Sequence, residues 1–280
     1  MNDRKVCLIT GATNGIGLAT AVELARRDYA VYLHGRNAEK LAECVAAVKA
    51  EVTHQDIHGL AADLSVLANV RDLAAQFLQA GRPLDCLISN AGVTNMARRL
   101  TVDGYEEMFA VNHLAPFLLT NLLLEHMKVH TPARIVIVAS GAHAFVKGIN
   151  FEDPNFETGF ASMKVYGHSK LANMLFTREL AKRLDSSGVT VNCCHPGAVA
   201  TGLGTNNGWL GKSIMAMMKP FFRTAERGAE SSIYLADSDD VAQHSGDYFY
   251  NCRAKTPKPW ALDDKAAAQL WSLSEEMVGN

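Results

Sequence analysis

Val6-Cys7-Leu8-Ile9-Thr10-Gly11-Ala12-Thr13-Asn14-Gly15-Ile16-Gly17 reads as an apolar strand, a glycine-rich turn and the opening of an amphipathic helix. Gly11, Gly15 and Gly17 let the backbone turn tightly and come close to a bound group. The helix that follows offers unpaired N–H groups and the positive end of its dipole. A pyrophosphate suits that place. Thr13, Asn14 and Ile16 complete the turn and are candidates for the same contact. Three glycines alone also describe a plain turn. The binding reading is favoured by their position between a buried strand and a helix, at the head of an alternating pattern.

That pattern runs almost the length of the chain. Expected strands are Val6–Thr10, Ala30–His34, Ile57–Ala61, Cys86–Ser89, Arg134–Ala139, Val189–Cys194 and Tyr248–Tyr250. Between them lie helical patterns at Gly15–Arg27, Ala38–Ala50, Leu67–Ala80, Gly104–His130, Ser162–Leu184 and Ala225–Leu235. Strands buried on both faces read as continuous apolar runs, as Arg134–Ala139 does. The fold class is therefore α/β: one Rossmann-type domain over residues 1–280, with a doubly wound, seven-stranded parallel sheet flanked by helices on both faces. Gly104–His130 and Ser162–Leu184 carry more apolar surface than one sheet face needs. That surplus makes a homodimer or homotetramer an expectation. Residues at about 198–225 break the alternation with glycine, methionine and aromatic side chains, including Trp209, Met215, Met217, Met218, Phe221 and Phe222. They suit a lid over an apolar ligand, or a helix packed on the protein's own core.

Composition narrows the function. With 27 Lys+Arg against 29 Asp+Glu in 280 residues, no basic field invites nucleic acid. The six cysteines form no CxxC and no regular spacing, so they read as reduced thiols, and no metal site is expected. His54/His58 and His126/His130 have the i, i+4 spacing of a zinc pair, but no third ligand or adjoining Glu accompanies them, and solvent-facing histidines near helix ends explain both. No stretch approaches about 18 uninterrupted apolar residues, so no integral membrane segment is expected and the localisation reads as cytoplasmic.

The end of the second strand, Leu33-His34-Gly35-Arg36-Asn37, lacks the carboxylate that would hold the ribose hydroxyls of NAD. Arg36 can instead pair with a 2′-phosphate and stack on adenine, so the expected cofactor is NADP(H), preferred over NAD(H). The alternative is a surface arginine. Asp63 and Leu64 follow the third strand, where a carboxylate can accept from the adenine amino group. Asn90-Ala91-Gly92 follows the fourth, where small residues admit the cofactor and the asparagine can pin adjoining strands. After the sixth strand, Pro196 and Gly197 would shape backbone around the nicotinamide carboxamide, with Val199 and Thr201 as donors. His195 reads as structural.

Carbonyl reduction needs a proton donor, and a phenol serves when a nearby ammonium lowers its pKa from about 10. Tyr166 and Lys170 stand at i and i+4, side by side on a helix face. On their own they read equally well as a surface pair. The helix, however, follows a strand that ends in Ser140, at the edge where open parallel sheets bind ligands. The Ser140 hydroxyl can hold a substrate oxygen. Asn112 lies within a helix near Pro116, where backbone bonding is disturbed. It is a candidate for holding a water that links Lys170 to solvent, or simply for satisfying the kink.

With Thr10–Gly17, Asp63, Asn90–Gly92, Asn112, Ser140, Tyr166, Lys170 and Pro196-Gly197 in order, the chain resembles the short-chain dehydrogenase/reductases over its whole length. Thr101–Tyr105, Val111–Leu114, Asn150–Asp153, Tyr166–Asn173, Phe176–Ala181 and Gly246–Phe249 look like its retinol dehydrogenase-like and WW-domain-oxidoreductase-like branch. The resemblance implies use of NADP(H), with an arginine at the place of Arg36, and transfer of the pro-S hydride. Many retinoid enzymes of that branch carry an N-terminal membrane anchor, and Val6–Ile9 is too short to be one. The expected substrate is a small apolar carbonyl or alcohol. Two alternatives stand: a non-catalytic NADP(H)-binding redox sensor, and a steroid, quinone or lipid-aldehyde reductase with the same chemistry.

Overall fold

β1 (Val6–Ile9) is apolar at every position because both its faces are covered, Val6 and Leu8 on one side and Cys7 and Ile9 on the other. In the computed structural model, whose described residues are 4–197 and 223–279, it lies between β2 (Ala30–Gly35) and β4 (Cys86–Ser89). The expected seven parallel strands are all present. β3 (Ile57–Ala61) forms one edge, and β5 (Ala133–Val138), β6 (Val189–His195) and β7 (Tyr248–Tyr250) extend the other side. Among the described residues the sheet has one strand more than expected. The order is β3-β2-β1-β4-β5-β6-β7-β8, with β8 (Arg253–Ala254) antiparallel to β7. Asn251 and Cys252 form the two-residue turn, with φ of 52° and 57°. Without the usual Asn-Gly or Asp-Gly pair, that hairpin carries no strong sequence signal. β3 also departs from the fully buried expectation, because its edge position leaves His58, Gly59 and Ala61 exposed.

The strand order reverses between β1 and β4. In an open parallel sheet the crevice at that switch point, beyond the carboxyl ends of the strands, is where ligands bind. Helices cover both faces. α1 (Gly15–Arg26), α2 (Ala38–Ala50) and α7 (Ala225–Asp237) enclose one apolar core with Ile9, Leu33 and Val136. On the other face, α3 (Leu67–Gln79), α5 (Ala115–Val129) and α6 (Ser162–Arg183) enclose a second with Leu8, Leu87 and Ile135. The segment 198–222, expected as a lid, lies outside the described residues.

The helix expected over Gly104–His130 is interrupted. After α4 (Glu107–Phe109) the chain makes one π turn at Ala110–Leu114 before α5 begins. Ala115 N–H donates to the carbonyl of Ala110, five residues back. Pro116 has no N–H to offer the carbonyl of Asn112, four residues back, and a wider turn accommodates that loss. Among the described residues this stretch, Glu107–Val129, is the one helix long and apolar enough to cross a membrane, yet it is 78% buried in the fold.

An element not expected from the sequence covers part of the surplus apolar surface. α8 (Asp264–Val278) has Asp263 as its cap, accepting from Lys265 N and Ala266 N, and Gly279 at φ 70° after its end. It lies on α6, with Ala267, Leu270, Trp271 and Val278 buried in the second core. The Trp271 ring meets Phe117 edge-on at 5.0 Å and lies under the Arg183 guanidinium at 4.0 Å. Part of the apolar surface of α6 is thus covered by the chain itself. Trp271→Ala should therefore cost about 3–5 kcal/mol in urea-induced unfolding.

Candidate active site

The glycine turn is built as its composition requires. Gly11 has φ 65°, and a Cβ there would stand 2.8 Å from the Cα of Ala91; a Cβ on Gly17 would strike the carbonyl of Gly11 and the amide of Asn90. Asn90 Nδ2 donates to the carbonyls of Thr10 (2.9 Å) and Gly11 (3.1 Å). The Thr10 hydroxyl accepts from the amides of Asn90 and Ala91. Asn90 thereby ties the β4 loop to the β1 turn across the switch point. At the start of α1, Asn14 makes no side-chain cap bond and the first turn carries no acid. A helix start without cap or acid suits an anion from outside the chain, so these residues fit a dinucleotide pyrophosphate.

Two supports of this turn were not read from the sequence. One is the Thr10 hydroxyl. The other is His34, whose Nδ1 accepts from Gly11 N–H at 3.2 Å and whose Nε2–H donates to the Ala62 carbonyl at 3.0 Å. Burial pushes its pKa down to about 4, so the ring is neutral with a defined tautomer. A histidine closing an otherwise apolar strand was the available signal. Arg36 is exposed at the end of β2, while Asn37 caps α2 by accepting from Lys40 N. Asp63 Oδ1 accepts from the amide and hydroxyl of Ser65, and Leu64 lines a small apolar recess with Ala91 and Val111.

The second half of the site gathers at the ends of β4, β5 and α6. Lys170 is buried, and its Nζ donates to the Val138 carbonyl at 3.0 Å and lies 5.8 Å from the Tyr166 ring centre. Gly92 lies against both of its neighbours here. A Cβ on it would be 3.2 Å from Asn112 Oδ1 and 3.4 Å from Lys170 Nζ. Asn112, in the π turn, accepts from Val93 N–H at 2.7 Å and donates to the Val93 carbonyl at 3.0 Å and to Ser169 Oγ at 2.9 Å. Its side chain is therefore engaged with the β4 loop and α6. Ser140 accepts from Ala142 N–H at 3.1 Å, and its hydroxyl stands beside the Tyr166 phenol.

Desolvation governs the charges here. Burial raises the Tyr166 phenol, an effect the Ser140 hydroxyl partly offsets, and burial lowers Lys170 to about 8. The expected depression of the phenol by the lysine is not seen: burial holds the phenol above its ordinary value. His195 lies flat against Tyr250 at 4.8 Å and accepts from Gly197 N–H; burial and neighbouring cations lower it to about 4. Gly197 has φ 85° and abuts Arg223. Pro196 is half-buried beside it, while Val199 and Thr201 lie outside the described residues.

The histidine pairs need one correction. His54 is buried and bonds the Ala25 carbonyl, while His126 bonds the Arg82 carbonyl and His130 that of His126. Only His58 is solvent-facing, paired with Asp56. Among the described residues no three metal-ligating side chains converge.

A strand, a glycine turn, an unsealed helix start and a Ser–Tyr–Lys group at one crevice are shared by a known class. The short chain dehydrogenase family model matches residues 5–208, and the chain belongs to that family of oxidoreductases. Among curated relatives, retinol dehydrogenase 12 of Mus musculus is 42% identical over 275 residues, covering 98% of this chain and 86% of that one. Retinol dehydrogenase 13 of Homo sapiens is 40% identical over 282 residues, covering 98% and 85%. An uncharacterized protein from Mycobacterium paratuberculosis superposes with a TM-score of 0.77 at 31% identity, over 99% of this chain and 94% of that one. The Pseudomonas aeruginosa RhlG/NADP active-site complex gives 0.69 at 26%, over 87% and 93%.

Proposed function

We propose that this chain interconverts an apolar alcohol and its aldehyde or ketone, using NADP(H). The observation that carries the reading is the convergence of Ser140, Tyr166 and Lys170 beside the switch-point crevice. The Gly11–Gly17 turn and the start of α1 would hold the pyrophosphate, and Arg36 the 2′-phosphate. Asp63, Leu64 and Asn90–Gly92 would lie along the adenosine, with Pro196, Gly197, Val199 and Thr201 at the nicotinamide end. When bound, the nicotinamide supplies the hydride in reduction and accepts it in oxidation.

The residues themselves handle the oxygen and its proton. Ser140 donates to the carbonyl oxygen and fixes its position. Tyr166 gives its phenolic proton to that oxygen as the C–H bond forms, and takes it back in the reverse direction. Lys170, protonated, favours the resulting phenolate, and Asn112 holds the β4 loop and α6 in the arrangement that keeps Lys170 beside Tyr166.

An apolar substrate is supported by the rim. Phe145 and Met163 are 59% and 53% exposed, although both are large and apolar. Met163 stands one turn before Tyr166 on α6, and Phe145 packs over Gly167. The retinol dehydrogenase names of the relatives agree with a long hydrocarbon body. A panel of aliphatic and aromatic aldehydes, followed by loss of NADPH absorbance, tests the reading. Consumption that increases with chain length is expected, whereas tight NADPH binding with no consumption by any carbonyl would indicate a sensor. Arg36→Asp should move the kcat/KM ratio toward NADH by about tenfold or more, through loss of a charge-assisted pair and gain of a repulsion.

A further inference from the structure

His113 follows Asn112 in the π turn and is completely buried, yet the chemistry proposed above has no use for it. Its ring lies among Phe109, Phe117 and Phe176, at 5.1 to 6.2 Å between centres. A polar ring in such surroundings must be held by hydrogen bonds. Nε2 lies 2.8 Å from the hydroxyl of Ser274, on α8. That hydroxyl donates its own hydrogen to the Leu270 carbonyl at 2.8 Å, so it accepts from His113 Nε2–H. The tautomer follows. Nδ1 is left as a buried acceptor with no hydrogen-bond partner, so the Ser274 bond alone holds the ring. Ser169, the residue that receives Asn112 Nδ2, stands on α6 immediately before Lys170.

From this geometry we infer that Ser274 and His113 are positioning residues for the catalytic group. The C-terminal helix holds the register of the π turn through the Ser274–His113 bond, and so sets the direction in which Asn112 faces Val93 and Ser169. The inference rests on the proposed oxidoreductase reading for its kinetic consequence, though not for its structural one. The π turn has an alternative, an ordinary α turn that rotates Asn112 away from Gly92, and a fixed His113 ring disfavours it. Ser274→Ala would leave Nε2–H buried without a partner.

The test uses the full chain. Its first readout is amide hydrogen exchange at Val93, whose N–H is held by Asn112 Oδ1. Ser274→Ala and His113→Leu should each lower protection at Val93 by about tenfold or more, while His113→Gln, which retains a donor, restores most of it. Val278→Ala serves as the control, since it removes buried apolar bulk from the same helix without touching His113. It should leave Val93 protected at equal loss of melting temperature. The second readout is kcat per NADPH-binding site, which should fall about tenfold in Ser274→Ala with KM for NADPH unchanged. Unaltered Val93 protection in Ser274→Ala, or equal loss in Val278→Ala, would overturn the inference whether or not the wild-type chain turns over. Lowered Val93 protection in Ser274→Ala, together with a wild-type chain that consumes no NADPH, would uphold the inference and refute the oxidoreductase reading.

Discussion

Tyr166→Phe should lower carbonyl turnover by about 10²–10⁴-fold, the usual worth of one positioned acid–base group, while NADPH binds as before. The change removes one oxygen from a side chain packed beside Met108, Phe156 and Val165, so the ring keeps its seat. It removes the atom that gives and takes the proton. It leaves the neighbouring Ser140 hydroxyl free to meet substrate or water. Fluorescence titration with NADPH beside steady-state rates separates the two effects. Retained turnover would mean that another group carries the proton, and neither His143 nor His195 is suited, since burial pushes both below the ordinary histidine range.

Lys170→Met should cost a comparable loss of turnover, with little loss of stability at pH 7. A buried lysine lowered to about 8 is disfavoured when charged. The displacement from the ordinary lysine value corresponds to roughly 3 kcal/mol against folding at neutral pH. Methionine removes that cost but leaves the Val138 carbonyl without its donor, which is worth about 1–3 kcal/mol in the other direction. The sign of the pH dependence distinguishes the two proteins. Folded Lys170 binds its proton less tightly than unfolded Lys170, so wild-type stability rises as pH increases from about 8 to about 10.4, a rise absent from the variant. Urea unfolding at pH 7 and pH 10 measures it. In the wild-type chain kcat/KM should also bend near pH 8, where the ammonium is lost.

Much of the site was legible because its constraints are local. Gly11 and Gly17 announce a turn with no room for a Cβ, and the structure shows the atoms that fill that room. Pro116 announces a disturbed turn four residues earlier, and a π turn stands there. Other features depend on partners far away in sequence. His34 could be seen as a histidine in an apolar strand, but not as the residue that joins the Gly11 amide to the Ala62 carbonyl. His113 and Ser274 are 161 residues apart, and nothing in either neighbourhood predicts the other. The apolar excess of α5 and α6 was equally visible. Periodicity shows that a helix face is apolar and does not show what covers it, so the packing of α8 on α6 could not be read there.

Direct hydride transfer to a carbonyl held beside Tyr166 is tested most directly by deuterium labelling. The full chain would be given an aldehyde from the panel and NADPH stereospecifically deuterated at nicotinamide C4, on one face and then on the other. One deuterium on the carbinol carbon of the product, from one face only, is the predicted result. NADPH oxidation that leaves the carbinol carbon unlabelled from both faces, or binding without any alcohol formed, would contradict it.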